Sequence, residues 1–232
     1  MELFQKSYDG INIDQARAEV ADQGWTLLGT ALDGTVLAQI RSEIDALAQA
    51  DGTEVNYGGS EHRVWHAHQK STLIDQFRNF SDKVLSQVME EPKAAHNILA
   101  IRNRTLDPEA AALRKGRWHL DSFNQQMKIF VFLTDVTQDS GPFEMIPGTQ
   151  AMSFKMRQAL QGHLITPKDL VQGTRSYSKL KEDLIEKIVA KGYATKAFDV
   201  PAGTIALVDT SCVHRARPCT MGERYALTSY YA

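Results

Sequence analysis

Two cysteines, Cys212 and Cys219, are all that the 232 residues contain. A disulfide framework is therefore not expected, and a reducing cytoplasm is the expected location, although a bridge between the two is geometrically conceivable. Positive charge is not in excess either. Lys and Arg number 26 against 28 Asp and Glu, a net charge of -2, which gives no footing to a nucleic-acid partner or an anionic membrane surface. No apolar run approaches the roughly 18 residues that span a bilayer. The start, Met1-Glu2-Leu3-Phe4-Gln5-Lys6, lacks the basic stretch and apolar run of a signal peptide. Seven Pro and fifteen Gly leave no long linker, and there is no internal repeat or low-complexity segment. What is there is ordinary globular composition, 43% hydrophobic and 23% charged, over a length that fits one domain, residues 1–232, with a sizeable core. Nothing in the sequence specifies an oligomeric state.

Residues 1–93 read as mostly helical. Asn12 or Asp14 caps a short helix ended by Gly24, and Trp25-Thr26-Leu27-Leu28 follows as a short strand. Leu37, Ile40, Ile44 and Leu47 recur at three or four residues and mark a helix over 33–50; a second covers 71–89, with Leu73, Phe77, Phe80, Val84 and Val88 on one face. From residue 94 the texture becomes β. Strands are expected at 97–102, 118–123, 127–134, 143–146, 194–200, 204–208, 213–217 and 224–231, with a helical insertion over about 151–193. About eight short strands interrupted once by helices fit two sheets closing into a jelly roll, a cupin-like double-stranded β-helix over 94–231 buttressed by helices.

His119-Leu120-Asp121 is the most informative step in this frame. Side chains two apart on an extended strand share a face, so the imidazole and the carboxylate can grip one ion from one wall of a pocket. Trp118 and Leu120 then face away. His214 can complete a set of two His and one carboxylate, which suits ferrous iron with open positions. A lone His-x-Asp arises by chance in many proteins, and a structural histidine beside an unrelated aspartate is the bland alternative. Arg224 adds weight. Reflecting the chain about the turn near Cys219 places Arg224 opposite His214, within about 4.5–5.5 Å at Cβ if the two strands pair. A buried guanidinium needs a carboxylate; no acid in the adjacent strands is an obvious partner, and a dicarboxylate ligand would supply one through a bidentate pair. The alternative is a surface Arg on an edge strand.

Together these residues resemble the iron(II)/2-oxoglutarate-dependent oxygenases, and within them the phytanoyl-CoA dioxygenase-like family. The likeness is carried by Trp118-His119-Leu120-Asp121, Leu133-Thr134-Asp135-Val136, Asp139-Ser140-Gly141-Pro142-Phe143, Ile146-Pro147-Gly148-Thr149-Gln150, Val200-Pro201-Ala202-Gly203-Thr204, His214-Arg215-Ala216 and Arg224. It covers residues 94–231 and matches the first ninety only loosely. Gln150 stands where the family commonly has His, a departure that touches a structural turn. Ala226 stands where some relatives have a Ser that contacts the co-substrate, a contact that Thr228 could replace. The resemblance implies that His119, Asp121 and His214 hold Fe(II), that Arg224 fixes the far carboxylate of 2-oxoglutarate, and that O2 is the oxidant. It implies release of succinate and CO2 with hydroxylation of a C–H bond in a small-molecule substrate. Related halogenases have a small residue in place of Asp121, so the carboxylate favours hydroxylation. The same apparatus could instead catalyse desaturation, cyclisation or epimerisation. A non-catalytic metal-binding cupin-like ligand sensor is the reading from another class, and it has no use for Arg224.

Substrate-side candidates are Trp65, Arg102 and Phe130. Trp65 sits among His62, His66 and His68, whose spacing does not match a zinc site and which read as a solvated loop near the mouth. Arg102 either meets an anionic substrate or is a solvated or structural arginine. Phe130 shares a face with Phe132 and Lys128, where pocket lining competes with core packing. Cys212 would share a face with His214 and pack near the iron, open to oxidation. Arg175, Tyr177 and Lys179 could form a lid, and His96 and His163 read as structural.

Overall fold

A computed structural model of the chain describes residues 2–30, 32–106, 116–161, 164 and 180–231. The expected His163 and the lid residues Arg175, Tyr177 and Lys179 lie outside the described residues. Helices α1 (Gln5–Asp9), α2 (Ile13–Gln23), α3 (Gly34–Leu47) and α4 (Thr72–Met89) precede most of the sheet, and α5 (Met152–Leu160) and α6 (Glu182–Ala190) lie within the insertion. Their starts follow from side-chain chemistry. Asn12 accepts from the amide of Gln15, Asp33 from those of Thr35 and Val36, and Ser71 from that of Ile74, each satisfying an amide that the first turn leaves orphaned. Gly24, at φ 84, closes α2 in the left-handed cap.

The strands are β1 (Trp25–Thr30), β2 (Glu54–Asn56), β3 (Glu61–Val64), β4 (Asn97–Arg104), β5 (Met127–Phe132), β6 (Phe143–Met145), β7 (Lys196–Ala197), β8 (Thr204–Asp209), β9 (His214–Ala216) and β10 (Glu223–Tyr230). They form a seven-stranded antiparallel sheet ordered β1-β8-β5-β10-β4-β3-β2 and a three-stranded one ordered β7-β6-β9. The expected jelly roll is present, with differences. Within the first ninety residues the short strand expected from Trp25 is present as β1 and pairs with β8 at one edge, while the β2–β3 hairpin, which was not expected, extends the other. The expected strand at 118–123 is reduced to one bridge, His119 to His214, and that at 194–200 to β7 and a single bridge between Val136 and Val200.

Period-two alternation sorts the large sheet into two environments. Ile98 and Ala100, Ile129 and Val131, and Tyr225 and Leu227 pack under Ile40, Ile44, Ile74, Phe77 and Phe80 of α3 and α4. The intervening residues face the small sheet, where Phe132, Ala206 and Ala226 meet Phe143, Met145 and Phe198. A third cluster joins Trp118 and Leu120 to Phe154, Leu184 and Ile188 of the insertion, so these two residues do face away from the metal side. At the turn before β6, Gly141 (φ 79) lies so close to the β9–β10 connection that an added Cβ would fall 2.5 Å from the Arg217 carbonyl oxygen; only glycine accepts both the angle and the approach.

Candidate metal centre

His119 and His214 exchange backbone hydrogen bonds of 2.9 Å in both directions, which sets their rings 4.2 Å apart at the centroids. Asp121 is held by its own amide, which donates to Thr210 O at 3.1 Å. Its carboxylate oxygens then lie 3.6 Å from His119 Nε2 and 3.7 Å from His214 Nε2. His119 Nδ1 sits 2.8 Å from the carbonyl of Arg117, and His214 Nδ1 2.9 Å from that of Cys212. A carbonyl only accepts, so each Nδ1 carries a hydrogen, and in the neutral ring Nε2 then presents its lone pair toward Asp121.

Three acceptors therefore face one point with no hydrogen between them. Their ligand atoms all lie within 4.8 Å of one another, the one such three-donor set found among the described residues. That spacing suits a first-row divalent ion, whose bonds to imidazole nitrogen and carboxylate oxygen run about 2.0–2.2 Å. Electrostatics agrees. Burial drives His214, 5% accessible at its side chain, toward the neutral form that binds metal. Burial acts to raise the Asp121 pKa, yet the positive charge around it, with the Lys128 ammonium 2.5 Å from Oδ2, outweighs burial and holds the carboxyl below its ordinary range.

The motifs around the triad act as fasteners. Thr149 of Pro147-Gly148-Thr149 is fully buried; its Oγ1 donates to Ile146 O at 2.6 Å and accepts from the amide of Val213 at 2.8 Å, the residue before His214. Gln150 donates to Asp22 O at 2.9 Å and accepts from Cys212 Sγ at 3.2 Å, a structural turn contact as expected. Asp209 accepts from the amides of Gln126 and Ser211, and Lys155 of α5 donates to Phe123 O and Ser211 Oγ at 2.8 and 2.7 Å. The segments bearing Asp121 and His214 are thus tied to each other. Replacing Thr149 with Val should cost about 2–3 kcal/mol, because the Val213 amide loses its acceptor in a dry place. Chemical denaturation measures the loss, and weaker Ni(II) binding in calorimetry should accompany it.

A cavity of about 260 Å³ opens on the triad and is also lined by Lys128, Phe130, Phe132, Phe143, Arg224, Ala226, Thr228 and Tyr230. Arg224 reaches it by a route other than the expected one. β9 and β10 do not pair; β9 bonds to β6 and β10 to β4 and β5. Arg224 and His214 instead belong to facing sheets, with the cavity between. Arg224 is buried and opposite Asn103, whose Oδ1 accepts from Nη2 at 2.9 Å. Asn103 Nδ2 donates in turn to Glu61 Oε2 at 2.8 Å. An acid does stand near, one strand beyond β4, which the sequence reading missed.

Other candidates divide. Phe130 lines the cavity, as do Ala226 and Thr228. Arg102 does not: strand alternation turns it to the helical side, where it pairs with Asp45 of α3 at 2.6 Å. Trp65 stands one layer back, packed edge-on against Tyr230 and donating to Glu54. Cys212 precedes β9 rather than lying in it, so alternation fails there; its thiol points into the core between the sheets, where burial pushes its pKa up to about 12, and only its carbonyl serves the site. Cys212 and Cys219 form no disulfide. His62, His66 and His68 assemble no three-donor set. Lys128, left ambiguous by the sequence, reaches the site: its Nζ lies 2.5 Å from Asp121 Oδ2 and 4.0 Å from the Tyr230 ring centre.

No helix among the described residues is long and apolar enough to cross a membrane. No curated protein matches the sequence. Solved structures do match the fold. The epimerase SnoN, in complex with Fe3+, alpha ketoglutarate and nogalamycin RO, superimposes with a TM-score of 0.72 at 14% identity, over 94% of this chain and 82% of its own. The non-heme alpha ketoglutarate dependent carbocyclase SnoK from nogalamycin biosynthesis gives 0.69 at 17%, over 97% and 85%. EctD from S. alaskensis with bound Fe gives 0.65 at 17%, over 96% and 76%. Residues 20–224 match the model of the phytanoyl-CoA dioxygenase family, a span that holds all three triad residues and Arg224, and the chain belongs to that family.

Proposed function

We propose that this protein is a non-haem iron(II)/2-oxoglutarate-dependent oxygenase that hydroxylates a C–H bond of a small-molecule substrate, with O2 as oxidant and succinate and CO2 as products. The observation that carries the reading is the convergence of two Nε2 lone pairs and one carboxylate on a point in the cavity that also holds a buried guanidinium. His119, Asp121 and His214 would hold the ion. Iron(II), when bound, supplies the redox centre at which O2 and 2-oxoglutarate are spent to oxidise the substrate.

The chain's own residues do the rest. Asn103 orients Arg224, which binds the far carboxylate of 2-oxoglutarate by charge-assisted hydrogen bonds. Phe130, Phe132 and Phe143 exclude water from the reacting side of His214 and strengthen the electrostatics within. The backbone carbonyls of Arg117 and Cys212 keep both imidazoles in the ligating tautomer. Asp121 occupies a position that halogen transfer would need open, and so favours hydroxylation. The same hydrogen abstraction serves epimerisation and ring formation, the activities of two structural neighbours; the substrate's own geometry would decide between these outcomes and hydroxylation.

Anaerobic addition of Fe(II) and 2-oxoglutarate should produce a weak visible absorption band that neither gives alone. Admission of air should then yield succinate. A folded protein that shows neither at saturating ligand is not an oxygenase of this type.

A further inference from the structure

We propose that the substrate bears a carboxylate and that Lys128 receives it. This rests on the oxygenase reading and adds to it the chemical class of the substrate.

The charges facing the cavity are unequal. Among its described lining residues Asp121 is the one acid, against Arg63, Lys128 and Arg224. Arg63 is neutralised outside the site by Glu61 at 3.0 Å and Glu54 at 3.8 Å. Arg224 and Lys128 stand at opposite ends. On β10 the cavity-facing residues run Arg224, Ala226, Thr228, Tyr230, roughly 20 Å of strand at about 3.3 Å per residue, and Lys128 lies over the Tyr230 ring. His214 stacks on Phe143, which meets Phe130, the partner of Thr228. The triad therefore sits between the two cations. The co-substrate uses the Arg224 end.

Lys128 is only 7% accessible at its side chain, and its one acidic neighbour among the described residues is Asp121. That carboxylate is also the ligand of the metal, and one negative charge cannot neutralise an ammonium and a divalent ion together. With the ion and the dianionic co-substrate in place, and both imidazoles neutral, Asp121, Arg224 and Lys128 leave the pocket one positive charge in excess. A buried uncompensated charge is expensive, and a substrate anion cancels it at the place where it stands. Lys carries three donors, of which Asp121 Oδ2 takes one. Leu99, Phe130 and Tyr230 form the walls beside it, so the anion is carried on a small apolar or aromatic body.

The test loads the protein with Ni(II) and N-oxalylglycine, an unreactive analogue of 2-oxoglutarate. Phenylacetate, benzoate and hexanoate are then titrated by calorimetry against their primary amides. At least one acid should bind about tenfold or more tighter than its amide. Lys128→Met should erase that preference while keeping Ni(II) and oxalylglycine affinities within about fivefold of the unmodified protein; Lys128→Gln replaces it if the Met variant does not fold. The proposal is overturned if no acid is preferred or none binds up to about 10 mM, or if the preference survives in the variant. It is also overturned if the variant loses oxalylglycine instead, which would assign Lys128 to the co-substrate. Failure of the unmodified protein to take up oxalylglycine is a separate result and removes the oxygenase reading itself.

Discussion

Asp121→Ala should abolish iron-dependent succinate formation, lowering it by about three orders of magnitude or more, and should weaken Ni(II) binding by at least about a hundredfold. The expectation follows from what the carboxylate does in three directions. It is the only anionic member of the three-donor set, so its loss leaves two neutral imidazoles to hold a divalent cation. It lies between His119 Nε2 and His214 Nε2 at nearly equal distances, so its loss also removes the element that defines the third ligand direction. And it is the acidic partner of Lys128, so the variant leaves a buried ammonium facing the point the cation would occupy. That last effect separates Asp121→Ala from His119→Ala. Both should be inactive, but the Asp variant should bind metal more weakly of the two and lose about 2 kcal/mol of stability through the unpaired lysine. Succinate quantification, nickel calorimetry and chemical denaturation check the three points; retained iron-dependent activity in either variant would refute the ligand assignment.

The parts of this fold that the sequence disclosed are those where local chemistry and tertiary packing agree. α2, α3 and α4 begin at the Asn, Asp and Ser that cap them and bury the apolar stripe that their periodicity marks. β4, β5, β8 and β10 are buried on both faces along most of their length, and β5 and β8 are rich in Ile, Val and Phe. The β2–β3 hairpin escaped because Glu54-Val55-Asn56 and Glu61-His62-Arg63-Val64 are mostly polar. Their strand form comes from pairing, β2 with β3 and β3 with β4, where Glu61 faces Asn103 and Val64 faces Ala100, and β propensity is largely a record of such neighbours. The reverse error at residues 118–123 has a similar source. Trp118 O is taken by the amide of Leu180 and the amide of Asp121 donates to Thr210 O, so the segment spends its hydrogen bonds on three different partners and forms no ladder.

The site was legible in its ligands and opaque in its support. His119 and Asp121 share a direction because extended backbone alternates, even where no regular strand forms. The pairing of His214 with Arg224 was inferred from a hairpin that does not exist; both residues nevertheless line one cavity because a jelly roll lays consecutive strands in facing sheets. Thr149, Lys155 and Asp209 act through hydrogen bonds to residues 32 to 83 positions away, and no short-range pattern encodes such pairs. Lys128 was ambiguous for the same reason: alternation gives its face, while its acidic partner sits on a loop.

Arg224→Ala should raise the apparent KM for 2-oxoglutarate by about a hundredfold, corresponding to roughly 3 kcal/mol for a desolvated charge pair, with Ni(II) affinity changed by less than about threefold. The separation of the two effects is the point of the experiment. Arg224 belongs to the large sheet and bonds to Asn103, which bonds to Glu61; the triad is fastened to the small sheet and the insertion through Thr149 and Lys155. Arg224 and its partner Asn103 lie in one sheet and the fasteners of the triad in the other, so a change at Arg224 should leave the ligand geometry standing. Arg224→Lys should recover part of the affinity but not all, because an ammonium restores charge without the planar fork that meets a carboxylate in two places. Equal loss of metal and co-substrate binding would mean that Arg224 supports the fold of the pocket rather than a ligand. An unchanged KM would place the co-substrate anchor elsewhere, and Lys128, the cavity cation whose acidic partner among the described residues is Asp121 of the triad, would be the residue to examine next.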